Sequence, residues 1–454
     1  MLSTVFKSSF GYSQPTSAVI VATFCQHPGV ALSKTASSSK CAGACCRSRC
    51  VASPTRTYLV MTNDRLELSA ELRLLWLLSE RHAWQGQRIQ PLLVQVDFLQ
   101  FQQLIEFHRL WLAVSRNLRQ LKTASGAPLI SLCPDEFVQW LQQSQQAAQQ
   151  KTLAHWLMQQ QLSAALQALA VPHQFIKGLG LSLKLHGELG WRFSRDIDLL
   201  IEPASRQAVA QLLRERGFHS EFDLLPANGL GTRWLMHLQK DEHWYHKNGI
   251  ALELHWRLAS ERTALSNQLT PVFLQLAPQQ LSVDELVYLC WHAMYSRCHR
   301  MKWALDVADY IHVLSLQQPD WQQQAFQCAA RLHVTAQLTF MLHLVALLPA
   351  LTRGEQLQGS QVLPQDVREL VGSWQHGSRS ERATFTNLWF LLKYQRNPLD
   401  WLKAGVSLVF WPNVADLSWL NRLPKPVALI YFLAMPLLKP WRYLIRRLFS
   451  RATS

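Results

Sequence analysis

Apolar residues recur at helical spacing along much of the chain, and the period changes near residue 173. Leu66, Leu68, Leu72, Leu74, Leu75, Leu77 and Leu78 give one helical apolar face. A second run from Val96 to Leu121 carries Phe98, Leu99, Leu104, Ile105, Phe107, Leu110 and Leu112. Helix is expected again over 134–170, where the Gln-rich stretch from Gln142 to Gln161 reads as a solvated face; Pro172 ends it. Gln174-Phe175-Ile176 then reads as a short strand, Leu179–His186 as a short helix and Asp196–Ile201 as a second strand stopped by Pro203. Ala204–Arg216 is a helix with Gly217 just past its end, where a left-handed cap is expected. Phe218–Leu224 and Trp234–His246 alternate like strands. Lys247-Asn248-Gly249 is a tight turn in which Asn-Gly supplies positive φ values, and Ile250–Trp256 is the return strand. Helices resume over 282–350 and 380–397. This order predicts an α+β fold: a small mixed β-sheet core flanked by largely helical N- and C-terminal regions. The expected divisions are 1–60, 61–170, 171–260, 261–400 and 401–454.

The net charge of +15 suggests nucleic-acid binding until it is located along the chain. Residues 1–60 hold six Lys/Arg and no acid, and residues 401–454 hold eight against Asp416 alone, which leaves +2 for 61–400. A near-neutral body argues against a broad nucleic-acid groove and for one end touching an anionic surface. Residues 1–60 are Ser-rich and hold Cys25, Cys41, Cys45, Cys46 and Cys50; they read as a leader or an upstream extension, with Met61 as a natural start. The remaining four cysteines are scattered, as in a reduced, cytoplasmic protein. Val427–Leu438 is apolar but shorter than the ~20 residues a membrane span needs. Trp441 to Phe449, aromatic and basic together, suits a segment lying on a membrane, so the expected location is cytoplasmic with peripheral contact to the inner membrane. The alternative for that segment is a Pro-broken helix packed on the body.

The candidate chemistry sits where the strands begin. Asp196 and Asp198 are two apart, so on a strand they share a face. Two like charges that close are tolerated mainly with a cation between them, and hard oxygen donors suit Mg²⁺ (or Mn²⁺). On the return strand, Glu253 and His255 share one face and Leu252 and Leu254 the other. Lys177-Gly178-Leu179-Gly180 lies at a strand-to-helix turn, where glycines let backbone approach a phosphate and the helix start favours anions. Farther on, His292 and His299 read as core-capping histidines, and Lys302 and Asp306, one helical turn apart, as a surface pair.

In order, these pieces resemble the uncharacterised bacterial nucleotidyltransferase group of the polymerase-β-like nucleotidyltransferase superfamily, over about residues 66–447. The resemblance rests on Ile176-Lys177-Gly178, Arg192 and Arg195-Asp196-Ile197-Asp198-Leu199-Leu200, then Glu253-Leu254-His255-Trp256, His292 to Asp306, and the Phe410-Trp411-Pro412, Asp416, Leu423-Pro424 and Pro440 tail. It implies that Asp196 and Asp198 bind Mg²⁺, that Glu253 is the third acid, as ligand or base, and that Lys177, Gly178 and Gly180 form the phosphate-side loop. It makes Arg192 and Arg195 candidates for triphosphate contact. The wider superfamily carries Gly-Ser at the loop; here Ser182 stands one turn later. The implied activity is transfer of a nucleoside monophosphate from an NTP to an unknown acceptor with release of pyrophosphate. The rival expectation is a degenerate binding or scaffold protein docked on a membrane or on envelope-polysaccharide assembly; an RNA acceptor is disfavoured by the neutral body.

Overall fold

Polar caps set the helix starts in the N-terminal region. Ser69 accepts a hydrogen bond from Leu72 N and opens α1 (Ala70–Leu77), and Asp97 accepts from Leu99 N and Gln100 N at the start of α3 (Phe98–His108). Between them lies α2 (Gly86–Leu93), and α4 (Trp111–Gln120) follows. The computed structural model describes residues 68–80, 86–220, 239–259, 263–353 and 365–375, with isolated positions elsewhere. The expectations for 1–60 and for Trp441–Phe449, and most of that for 380–397, lie outside the described residues.

α5 (Asp135–Ala168) runs 34 residues and buries Phe137, Leu141, Ala148, Leu162 and Leu166 along one side, with most of its glutamines in solvent. The sheet then forms from β1 (His173–Phe175), β2 (Ile197–Ile201), β3 (Phe218–Ser220), β4 (Asp241–His246) and β5 (Ala251–His255), in the order β1-β2-β5-β4-β3. β2 and β5 are parallel and the other neighbours antiparallel, so the sheet is mixed and the fold α+β. α6 (Gly178–His186) and α7 (Arg206–Glu215) connect the first three strands.

β2 is buried along its whole length because both sheet faces are covered. Ile197, Leu199 and Ile201 face Leu162 and Leu166 of α5 and Val209 and Leu213 of α7. Leu200, on the opposite face, joins the helical core with Leu181 and Leu185 of α6. That second core also holds α8 (Ala264–Gln275), α9 (Val283–Tyr295), α10 (Met301–Gln317), α11 (Trp321–Arg331), α12 (Thr335–Arg353) and α13 (Gln365–Gln375). Residues Thr335–Thr352 are long and apolar enough to cross a membrane, but more than half of that stretch is buried in this core. Asp198 shares the face of Leu200 on β2 and is therefore drawn between the sheet and the helices.

Two local expectations change. The alternation over 234–246 predicts one long strand, yet β4 begins at Asp241 and the described positions at 236 and 237 are helical. Arg257 explains this: its Nη2 donates to the carbonyls of Met236, His237 and Gln239 at 2.9, 2.8 and 2.5 Å. Three carbonyls converging on one guanidinium nitrogen require a curled backbone. In the β4–β5 turn, Gly249 alone takes positive φ (+77°), and Gly249 N donates to His246 O. That is a three-residue loop with a glycine bulge, so Asn248 keeps ordinary backbone geometry.

Candidate active site

The parallel register of β2 and β5 pairs Asp198 with Glu253 and Leu200 with His255. The two acids and the histidine consequently project from one sheet face into the space beside the helical core. His255 Nε2 lies 3.0 Å from Asp198 Oδ1 and 3.3 Å from Glu253 Oε2, and its Nδ1 lies 3.5 Å from Asp241 Oδ2. The ligand atoms of Asp198, Glu253 and His255 all fall within 4.8 Å of one another. Lys177 Nζ approaches the same carboxylate, 2.8 Å from Asp198 Oδ1, and stands 3.4 Å from His292 Nε2. Side-chain exposure is 1% for His255, 7% for Asp198 and 23% for Glu253, so the cluster opens on the Glu253 side.

Asp196 stands one residue before β2, in a bend. Ser194 Oγ donates to its carbonyl at 2.9 Å and to its Oδ1 at 3.4 Å. Asp196 is thus a neighbour of the Asp198–Glu253–His255 group and outside its tightest contacts. Charge couples them nonetheless: burial pushes the Asp196 carboxyl up, and the charges on Asp198 and Glu253 push it further.

Burial opposes charge on Asp198 too, but the Lys177 ammonium and the His255 hydrogen bond hold it well below the usual carboxylate range. Glu253 is likewise held down against burial, first by its hydrogen bond with His255 and against the charge on Asp198. Burial and Lys240 would lower His255, yet its bonds to Asp198 and Glu253 raise it. Lys177 is raised by Asp198 despite burial. His292, beside Lys177, is neutral because burial and then the ammonium push it well below 6.5. The donor set fits a divalent cation: carboxylate oxygens from neighbouring strands, an imidazole nitrogen, and an excess of negative charge felt at Asp196. A cation bound there competes with Lys177 and His255 for Asp198.

The loop that carries Lys177 is strained. Lys177 has φ +57° and ψ −143°, a region that costs a side-chain-bearing residue about 1–3 kcal/mol, and Gly178 follows at φ +47°. A Cβ on Gly180 would stand 3.3 Å from Phe175 O, so this glycine serves a close approach of the chain to itself. Ser182 is fully buried; its hydroxyl donates to Glu188 O at 2.7 Å and accepts from Arg192 N at 3.2 Å. Arg192 sends Nε and Nη2 to the two oxygens of Asp306 at 2.6 and 2.8 Å, and Nη1 to Gly178 O at 3.3 Å. Arg195 is exposed.

The structure therefore gathers Lys177, Asp198 and Glu253, sets Asp196 beside them, and gives Ser182 and Arg192 partners within the chain. Sequence reasoning leaves out Asp306 as the anchor of Arg192, His292 as the neighbour of Lys177, and the Lys240–Asp241 ion pair behind His255. Lys302 and Asp306 are both buried, and the partner of Asp306 is Arg192.

A family model described as an uncharacterised nucleotidyltransferase matches residues 95–349, more than half of the 454 residues, including the sheet and helices on both sides of it. No curated protein and no solved structure matches the chain.

Proposed function

The chain belongs to the uncharacterised nucleotidyltransferase family, and on that premise we propose that it transfers a nucleoside monophosphate from an NTP to an acceptor in a reaction dependent on Mg²⁺ or Mn²⁺. The observation that carries this reading is the pairing of Asp198 with Glu253 across parallel strands, with Asp196 electrostatically coupled to both. A divalent cation held by these carboxylates would neutralise charge on the phosphates of the nucleotide. Lys177, seated 2.8 Å from Asp198 Oδ1, fixes that carboxylate and contributes a positive charge beside it. Glu253 is ionised at neutral pH and lies on the open side, placed to take the proton of an acceptor hydroxyl. The acceptor oxygen forms a bond to the α-phosphorus, the bond from that phosphorus to the bridging oxygen breaks, and pyrophosphate departs with the electron pair.

One observation favours a second reading. Asp198 Oδ1 already has the Lys177 ammonium and the His255 imidazole at 2.8 and 3.0 Å, a closed arrangement that a degenerate, binding-only site would also adopt. Pyrophosphate release from NTP and Mg²⁺, measured over a panel of hydroxyl-bearing acceptors for wild type and for Glu253→Gln, decides between them. Release that Glu253→Gln abolishes supports transfer; a folded wild type that releases none supports the binding-only reading.

A further inference from the structure

We infer that a pocket walled by Lys302, Arg109 and Arg192, next to the proposed nucleotidyl-transfer site, binds a phosphoryl group through the Lys302 ammonium. The inference rests on the proposed function for its context and on the pocket itself for its content. The pocket lies where the α3–α4 junction (Arg109, Leu110), the segment before β2 (Trp191, Arg192) and α10 (Lys302, Asp306) meet. Lys302 is 9% exposed, yet it has no hydrogen-bond or ion-pair partner among the described residues. The carboxylate one turn along its helix, Asp306, pairs with Arg192 through both oxygens and, like Asp196, favours the Lys302 charge without forming an ion pair with it. The other acid in the wall, Asp309, stands 3.5 Å from His186 Nε2.

An ammonium on a largely buried side chain that makes no ion pair is costly, and an anion in the adjoining pocket is one remedy. Burial and then the Arg192 charge bring the Lys302 ammonium down to about 7 against the opposing pull of Asp306 and Asp196, so an anion in the pocket would favour its charged form. The pocket is also tied to the reaction centre. Arg192 Nη1 reaches Gly178 O in the Lys177 loop at 3.3 Å, and the Lys302 charge acts on Asp196. A phosphoryl group seated on Lys302 would therefore lie beside the acidic cluster. Trp191, Phe193 and Leu305 complete the wall and limit water. Arg192 acts here as a positioning residue: its fork fixes the Asp306 carboxylate in the wall of the pocket.

Inorganic phosphate is the probe, with binding read by calorimetry and by the rise in Tm of the full chain. Wild type should bind phosphate and gain Tm. Lys302→Met, which keeps the volume and removes the charge, should fold with a Tm at or above that of wild type in phosphate-free buffer. It should lose phosphate affinity by at least about tenfold, the size of one charge-assisted hydrogen bond. Lys302→Arg should recover part of that loss. Saturation with a non-hydrolysable NTP and Mg²⁺ identifies the source: displaced phosphate marks the pocket as a seat for the nucleotide's own phosphates, and retained phosphate marks it as a seat for a phosphorylated acceptor. Equal phosphate binding by wild type and folded Lys302→Met, or none by wild type, overturns the inference. Phosphate binding that follows Lys302 in a protein that never releases pyrophosphate overturns the proposed function and leaves the pocket standing.

Discussion

Arg192 grips both carboxylate oxygens of Asp306 across 114 positions of sequence, with each side chain about nine-tenths buried. The pair joins the segment before β2 to α10, and through Gly178 O it also holds the start of α6. Removing one member of such a pair strands a buried charge. Asp306→Asn should therefore cost about 3–5 kcal/mol. Arg192→Lys should cost a similar amount, because an ammonium cannot reproduce the planar fork. Denaturant unfolding of Arg192→Lys, Arg192→Met, Asp306→Asn and the Arg192→Met/Asp306→Asn double variant checks this. The double variant should be less destabilised than the two singles added together, by about 0.5–3 kcal/mol; strict additivity would show that the pair is not coupled.

Asp198 and Glu253 face each other on paired strands but differ in what depends on them. Asp198 compensates Lys177 and His255 in the interior, whereas Glu253 sits on the open side. Both Asp198→Asn and Glu253→Gln should lower pyrophosphate release by at least about a hundredfold, Glu253→Gln through loss of a positioned base and Asp198→Asn through loss of a charge that would hold the cation. They should separate in stability: Asp198→Asn should lose about 3–5 kcal/mol as the buried Lys177 ammonium loses its partner and His255 its hydrogen bond, and Glu253→Gln about 1 kcal/mol or less. Chemical unfolding and the release assay on the same preparations give both quantities. Equal loss of stability in the two variants would contradict the assignment of Asp198 as the inner carboxylate.

Ser182 stands where the family resemblance invites a phosphate contact, yet its hydroxyl is spent between Glu188 O and Arg192 N. Ser182→Ala leaves a buried carbonyl and a buried N–H without that partner, so unfolding should be easier by about 1–3 kcal/mol. Affinity for NTP with Mg²⁺ should change less than about threefold at temperatures where the variant is folded, since less than one hydrogen bond to ligand is lost. A stable variant with strongly weakened NTP binding would instead assign the hydroxyl to the nucleotide.

Alternation carries far into this fold and then stops for a physical reason. Period 2 alone puts Glu253 and His255 on one face of β5, and the D-x-D spacing sets Asp198 at the start of a buried strand. What no period encodes is which strands pair. The β2–β5 register brings Asp198 to Glu253 over 55 positions, and that follows from hydrophobic faces packing between α5, α7 and the helical core. Asp196 shows the same limit: spacing puts it on the face of Asp198, but the strand starts one residue later and leaves it in a bend held by Ser194. Lys302 and Asp306 are the clearest case. One-turn spacing on a helix reads as a surface pair, and only the arrival of Arg192 from the sheet side decides that both residues are buried and that Asp306 pairs with Arg192 and not with Lys302.

His108 gives the fold an acid limit that is independent of the candidate site. It is fully buried at the end of α3, accepts from Met301 N at Nδ1 (2.9 Å) and donates from Nε2 to Trp374 O (3.3 Å), tying α3 to α10 and α13. Burial, despite the bond to Trp374 and with added push from Arg300 and His299, lowers its pKa from 6.5 to about 3. The folded value lies below the unfolded one, so the unfolded chain takes up the proton first as pH falls. The stabilisation is complete above pH 6.5 and is lost progressively down to about pH 3, amounting to about 5 kcal/mol at about 1.4 kcal/mol per pH unit. His155, lowered to about 4 by burial and Lys151, adds to the same trend and is common to wild type and variant. Unfolding free energies of wild type and His108→Gln between pH 7 and 4 should converge as pH falls, with the wild-type slope steeper by about one proton. Parallel slopes would mean that His108 titrates alike in the folded and unfolded chains.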